Sequence, residues 1–137
     1  MNTAVIGLGS NINPQDNIRK AWTFLSAKFT ILAESKLIRT KPVGFPDQED
    51  FINGTVLIET PLDCSQLKTA LQEIEETLGR RKPSSSGSHT ADLKTTFGPR
   101  TIDLDILVWN NQVVDQDFYS RDFLQKLVLS LLPDLPH

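Results

Sequence analysis

The stretch Gly98-Pro99-Arg100-Thr101-Ile102-Asp103-Leu104-Asp105-Ile106-Leu107 alternates polar and apolar residues from its fourth position onward. Such alternation predicts a β-strand whose side chains point in turn to opposite faces of a sheet. One face would carry Thr101, Asp103 and Asp105, and the other would carry Ile102, Leu104 and Ile106. The apolar face can anchor the strand to a core, which leaves two carboxylates side by side on the opposite face.

The two carboxylates of this strand would stand about 6.6 Å apart, because a strand rises roughly 3.3 Å per residue. At that separation like charges repel by roughly 2–3 kcal/mol at an effective dielectric of 20, and by about 0.6 kcal/mol in bulk water. A partly buried pair therefore requires a cation, and Mg²⁺ is commonly held by one or two carboxylates together with substrate phosphates. Arg100 would then hold a phosphate oxygen. The alternative for a bare D-x-D is the solvated face of an edge strand.

Composition limits the classes of function. The chain has 137 residues with 14 Lys and Arg against 17 Asp and Glu, a net charge of −3, so it lacks the basic surface of a nucleic-acid-binding protein. Affinity for phosphates must come from local cations such as those at 80–82. Cys64 is the single cysteine, which excludes an internal disulfide, and no apolar run approaches the roughly 20 residues of a membrane span. We expect one domain over residues 1–137, cytoplasmic and monomeric.

The predicted elements follow the order β-α-β-β-α-β, then a hairpin-like segment and a third helix. This order is typical of a ferredoxin-like α+β sandwich, in which helices cover one face of an antiparallel sheet and leave the other face open. We expect the second strand within 29–38, a first helix that buries Trp22, and a second helix capped by Ser65. RNA-binding domains share this plan, but the acidic charge and the missing aromatic platform argue against that function.

Two motifs resemble a known enzyme family. The string G-P-R-T-I-D-L-D-I at 98–106 and the Gly9-Ser10-Asn11 turn after the first strand are similar to the 6-hydroxymethyl-7,8-dihydropterin pyrophosphokinases of folate biosynthesis. The resemblance implies transfer of diphosphate from ATP to the pterin alcohol, giving AMP, with two Mg²⁺ ions on Asp103 and Asp105. It assigns catalytic roles to those aspartates, to Arg100 and to Lys82, the last in a loop that would close over ATP.

The resemblance also assigns binding residues. Those for the pterin are Thr40, Pro42, Val43, Phe51, Asn53 and Phe123. Those for ATP are Gln72, Glu75, Lys82, Phe97, Arg100, Ile106 and Arg121. The chemistry suits a flat heterocycle, because an amide such as that of Asn53 can pair with its in-plane donors and acceptors, while the rings of Phe51 and Phe123 sandwich its faces. Without the resemblance, Glu75 reads as part of a solvated helix face, and Phe51 as a core residue.

The sequence departs from the family pattern in two places. A histidine usually stands shortly before the arginine that matches Arg121, and this chain has none there. The polar loop at 83–96 is longer and richer in serine than its family counterpart. These departures leave open a weakly active or inactive relative that serves as a pterin- or nucleotide-binding module, and a pure interaction domain as a third possibility.

Overall fold

The sheet is antiparallel throughout in the computed structural model, which describes residues 1–41, 50–79 and 102–137. Its strands are β1 (Asn2–Ser10), β2 (Thr30–Glu34), β3 (Ile38–Thr40), β4 (Phe51–Thr60), β5 (Asp103–Trp109) and β6 (Gln112–Val113). The described helices are α1 (Pro14–Lys28), α2 (Cys64–Thr77), α3 (Asp117–Ser120) and α4 (Asp122–Leu131). The strand order is β2-β4-β1-β5-β6, with β3 also paired to β4. The predicted α+β class with an antiparallel sheet is confirmed.

Helices α1 and α2 cover one face of the sheet and form the larger core with it. In this core, apolar residues at alternate positions of β1, β4 and β5 pack against the apolar stripes of both helices. The fully buried members of the core include Ile6, Leu25, Ile58, Leu67, Leu71, Ile74 and Ile102. The prediction that Trp22 lies in this core was wrong, since its side chain is 38% exposed. The predicted cap of α2 was also displaced: Asp63, not Ser65, forms a capping box with Gln66.

The strand predicted within 29–38 is shorter: β2 ends at Glu34, and a second short strand, β3, begins at Ile38 after a break. Both β2 and β3 pair with β4, and Ser35 lies at the break between them. The Ser35 N–H donates to the Thr55 carbonyl at 2.8 Å, and the Thr55 N–H donates to the Ser35 hydroxyl at 2.9 Å. The break therefore keeps its hydrogen bonds, so the chain can turn there without leaving the edge of β4.

The opposite face of the sheet is partly covered, which corrects the expectation of an open face. Helices α3 and α4 pack on this face against β1 and β5. They form a second core there, made of Val5, Leu107, Val108, Phe118, Val128 and Leu135. The Thr55 hydroxyl donates to the Leu127 carbonyl at 3.3 Å in a buried contact, which fixes α4 against β4. Among the described residues, α3 and α4 leave the part of this face beyond α4 for a site. Among the described helices, none has the length and apolar character needed to cross a membrane.

Candidate functional site

Three neighbouring strands align the candidate residues in rows across the sheet. Gly9 of β1 is paired with Asn53 of β4 on one side and with Asp103 of β5 on the other. Directly paired residues of antiparallel strands project from the same face, so Asn53 and Asp103 share a face across a central glycine. With neighbouring strands about 4.8 Å apart, their backbones are separated by roughly 10 Å.

A second row lies one pleat further along and completes the acidic pair. Gly7 is paired with Thr55 in β4 and with Asp105 in β5. The two carboxylates therefore point to the face that also holds the Asn53 amide, with Asp103 half-buried and Asp105 exposed. Leu104, between them, is buried in the core on the opposite face. The structure thus brings Asp103, Asp105 and Asn53 to one surface.

The Asn53 amide is held by a neighbouring strand. Its Nδ2 donates to the Thr40 hydroxyl of β3 at 2.8 Å. A carboxamide offers two donor and two acceptor positions, and within residues 1–41, 50–79 and 102–137 this is the one hydrogen bond that its side chain makes. The remaining N–H and the Oδ1 lone pairs can pair with the edge of a heterocycle.

Aromatic residues stand near this amide. Phe51 precedes Asn53 by two positions in β4 and is paired with Thr40, so all three side chains share a face. Phe123 of α4 is half-buried and lines a groove of about 770 Å³ together with Ile38. Ile38 is the cross-strand partner of Asn53, so the groove that Phe123 lines borders the face with Asn53 through Ile38.

Glu75 is buried and does not belong to a solvated helix face, the interpretation that the sequence offers without the family resemblance. Its side chain is only 8% exposed, and its Oε2 accepts a hydrogen bond of 2.8 Å from the Leu104 N–H. Leu104 lies between the two aspartates, so Glu75 fixes the strand segment that carries them. Gln72 is exposed and precedes Glu75 by three positions, which puts it on the same side of α2.

Ile106 turns its side chain away from the aspartates. It packs against the larger core, so only its backbone can face the outer edge of β5. The Leu104 N–H points to that edge, toward Glu75, and a strand repeats its backbone directions every two residues, so the Ile106 N–H points the same way. Among the described strands, β6 reaches β5 only at Val108 and Trp109. Gln72, Glu75 and the Ile106 backbone thus lie along one edge.

Replacing Glu75 tests this support. We expect Glu75→Leu to lower the free energy of unfolding by about 1–3 kcal/mol, because the Leu104 N–H would stay buried without a partner. Glu75→Gln keeps an amide oxygen at the acceptor position and should lose clearly less. Urea denaturation of both variants measures the difference; equal losses would mean that the hydrogen bond has no role in stability.

The remaining candidates divide into two groups. Arg121 is exposed and begins α4, two residues before Phe123. Pro42, Val43, Lys82, Phe97 and Arg100, together with the loop at 83–96, lie outside the described residues, and their assignments stay predictions. Among the described residues, no group of three or more His, Cys, Asp or Glu side chains is arranged to hold a metal. A metal ion at Asp103 and Asp105 would therefore need further oxygen ligands, such as substrate phosphates.

Two features of the site were missed from the sequence. The position of Gly9 between the Asn53 amide and Asp103 depends on strand register, and the sequence showed only a glycine-containing turn after a strand. The buried role of Glu75 depends on how α2 lies along β5. Its one sequence signal is its position next to the apolar stripe residue Ile74, at the border of the buried face of α2.

Comparison with known proteins shows the family of the chain. A sequence model of the 7,8-dihydro-6-hydroxymethylpterin-pyrophosphokinase (HPPK) family matches residues 5–133. The 2-amino-4-hydroxy-6-hydroxymethyldihydropteridine pyrophosphokinase of Bacillus subtilis is 36% identical, with 85% of this chain and 65% of that protein aligned. The enzyme of the same name from Haemophilus influenzae is 31% identical, with 98% of this chain and 84% of that protein aligned.

A solved structure supports the fold alone. The chain is similar to Plasmodium falciparum HPPK-DHPS with a TM-score of 0.53 at 16% identity, over 95% of this chain and 33% of that one. The chain thus spans about two thirds of the length of the Bacillus relative and a third of the Plasmodium protein. With a family match over nearly its whole length and relatives above 30% identity, the chain belongs to the 7,8-dihydro-6-hydroxymethylpterin-pyrophosphokinase family.

Proposed function

We propose that this protein transfers diphosphate from ATP to the hydroxymethyl oxygen of 6-hydroxymethyl-7,8-dihydropterin and releases AMP. Family membership supports the reaction. The observation that carries it for this chain is the row Asn53, Gly9 and Asp103. A group that suits a heterocycle edge and a group that suits a metal-bound phosphate lie on one face, about two strand spacings apart.

In this proposal the pterin lies between aromatic faces with its amide edge at Asn53. The free N–H and Oδ1 of that residue pair with in-plane acceptor and donor groups of the ring. Phe51 and Phe123 supply the aromatic surfaces; the groove shared by Phe123 and Ile38 is consistent with this role. The hydroxymethyl arm is then directed across β1 toward the aspartates.

The residues present fit the Mg²⁺ that the family resemblance implies. Asp103 and Asp105 offer hard oxygen ligands on one face, and Mg²⁺ usually combines one or two such carboxylates with substrate phosphates. When bound, the metal neutralises charge on the triphosphate and orients it. Asp103 and Asp105 would hold it on the face of the sheet that also carries Asn53.

The transfer itself depends on position and charge. The hydroxymethyl oxygen forms a bond to the β-phosphorus of ATP, while the bond from that phosphorus to the α–β bridging oxygen breaks, and AMP leaves with that oxygen. In this proposal the hydroxyl proton passes to solvent as the new bond forms. Arg121, exposed at the start of α4, and the cations Arg100 and Lys82 would stabilise charge that develops on the phosphates. Gln72, Glu75 and the Ile106 edge would lie beside the nucleotide.

The experiment is an assay for AMP with ATP, Mg²⁺ and 6-hydroxymethyl-7,8-dihydropterin. We expect AMP to form only when all three are present, in equal amount to the diphosphorylated pterin. Calorimetry with the pterin and a non-hydrolysable ATP analogue accompanies the assay. Binding without AMP would favour the binding module that the absent histidine suggested, and no binding of either ligand would contradict the proposal. A cytoplasmic monomer that binds no nucleic acid stays a prediction.

A further inference from the structure

Gly9 occupies the centre of the site without having been assigned a role in it. It is buried in β1, directly between Asn53 and Asp103. A Cβ atom added to Gly9 would lie 2.9 Å from the Asn53 Oδ1, closer than such carbon atoms approach oxygen. The Asn53 carboxamide therefore lies over β1 in space that exists because residue 9 has no side chain.

The amide is held at one end and lies against Gly9 at the other. On the side of β3, Nδ2 donates to the Thr40 hydroxyl at 2.8 Å. On the side of β5, Oδ1 lies over Gly9. A glycine inside a strand weakens it and commonly marks a close approach of another group, and here that group is the Asn53 amide.

We propose that Gly9 is a positioning residue that sets pterin affinity by letting the Asn53 amide lie across β1 toward Asp103. This inference rests on the proposed function, because it takes Asn53 as the group that pairs with the pterin edge. A methyl group at position 9 would lift Oδ1 off the strand and rotate the amide plane, so its donor and acceptor would no longer lie in the plane of the ring. Hydrogen bonds weaken steeply with such misalignment.

Gly7 provides a matched control on the same strand and face. A Cβ atom there would lie 3.0 Å from Leu107 Cδ1, so Gly7→Ala introduces comparable crowding against an apolar side chain instead of the amide. An effect of Gly7→Ala on pterin binding would not pass through Asn53.

The test is a double-mutant cycle on pterin binding. Calorimetry measures the affinity for 6-hydroxymethyl-7,8-dihydropterin in the presence of Mg²⁺ and α,β-methylene-ATP, which cannot release AMP. We expect Gly9→Ala and Asn53→Ala each to weaken pterin binding about tenfold or more, the scale of lost hydrogen bonds to a ligand. The double variant should bind as Asn53→Ala does, because Gly9 acts through that residue. The KM for ATP should change less than about twofold, a difference of about 0.4 kcal/mol.

The failures of the two proposals are distinguishable. Unchanged pterin affinity in Asn53→Ala would contradict the proposed pterin site itself. Normal pterin affinity in Gly9→Ala, with a loss in Asn53→Ala, would overturn the positioning role. So would losses of Gly9→Ala and Asn53→Ala that add in the double variant. Additive losses are what we expect for the control pair Gly7→Ala and Asn53→Ala. If Gly9→Ala does not fold alone, Gly9→Ala in the Asn53→Ala background should fold and unfold in urea as Asn53→Ala does, because the crowded Oδ1 atom is then absent; failure of that rescue would overturn the inference.

Discussion

Asp105→Asn is expected to lower AMP formation by at least about a hundredfold, the effect of removing one preorganised charge from a reacting centre. Asparagine has nearly the same size but lacks the negative charge that a hard cation requires. The loss should appear in kcat, and it should not be recovered by more pterin, because the pterin-binding groups Asn53 and Phe123 are unchanged. A coupled assay for AMP at saturating substrates measures it.

The fold should survive this substitution. Asp105 is exposed, and one carboxylate fewer also relieves repulsion with Asp103, so we expect the free energy of unfolding to change by no more than about 1 kcal/mol. Asp134→Asn, which also changes an exposed acid but outside the site, is the control and should keep normal turnover. Near-normal turnover in Asp105→Asn would reject the assignment of the acidic pair.

The acidic strand and the fold class were within reach of the sequence because both rest on local patterns. Alternation at 102–106 put Asp103 and Asp105 on one face and Leu104 on the other, and this is the arrangement in β5. The apolar stripes of α1 and α2, apart from Trp22, indicated the face that these helices cover. Each of these features depends on residues within a few positions of one another.

The features that the sequence did not indicate depend on contacts between distant segments. Gly9 meets Asn53 only because β1 and β4 pair in one register among several that the pattern allows. Glu75 becomes a buried acceptor only because an edge N–H at Leu104 needs a partner. The open face was expected because the sequence did not show that α3 and α4 fold back onto it, with Phe118 at their contact.

Phe118→Ala should be the most destabilising single substitution on that second face, with a loss of about 3–5 kcal/mol in the free energy of unfolding. The ring is fully buried among Val5, Leu107 and Val128, and it makes an edge contact with the His137 ring at 5.5 Å between centroids. Truncation leaves a cavity where α3 joins α4 to the sheet. For a domain whose total stability is about 5–15 kcal/mol, this is a large share.

Tyr119→Ala is the matched control, since the neighbouring ring is 55% exposed and contacts Phe118 edge-on at 5.1 Å. Its loss should be limited to about 0.5–1.5 kcal/mol, the value of an aromatic pair. Urea denaturation followed by circular dichroism compares the two variants. Equal losses of stability in Phe118→Ala and Tyr119→Ala would mean that the buried ring of α3 does not hold α4, the helix that carries Phe123, against the sheet. A large loss in Phe118→Ala alone would tie that support to one buried ring, and Phe118→Leu should then recover part of the lost stability, because it refills part of the same cavity.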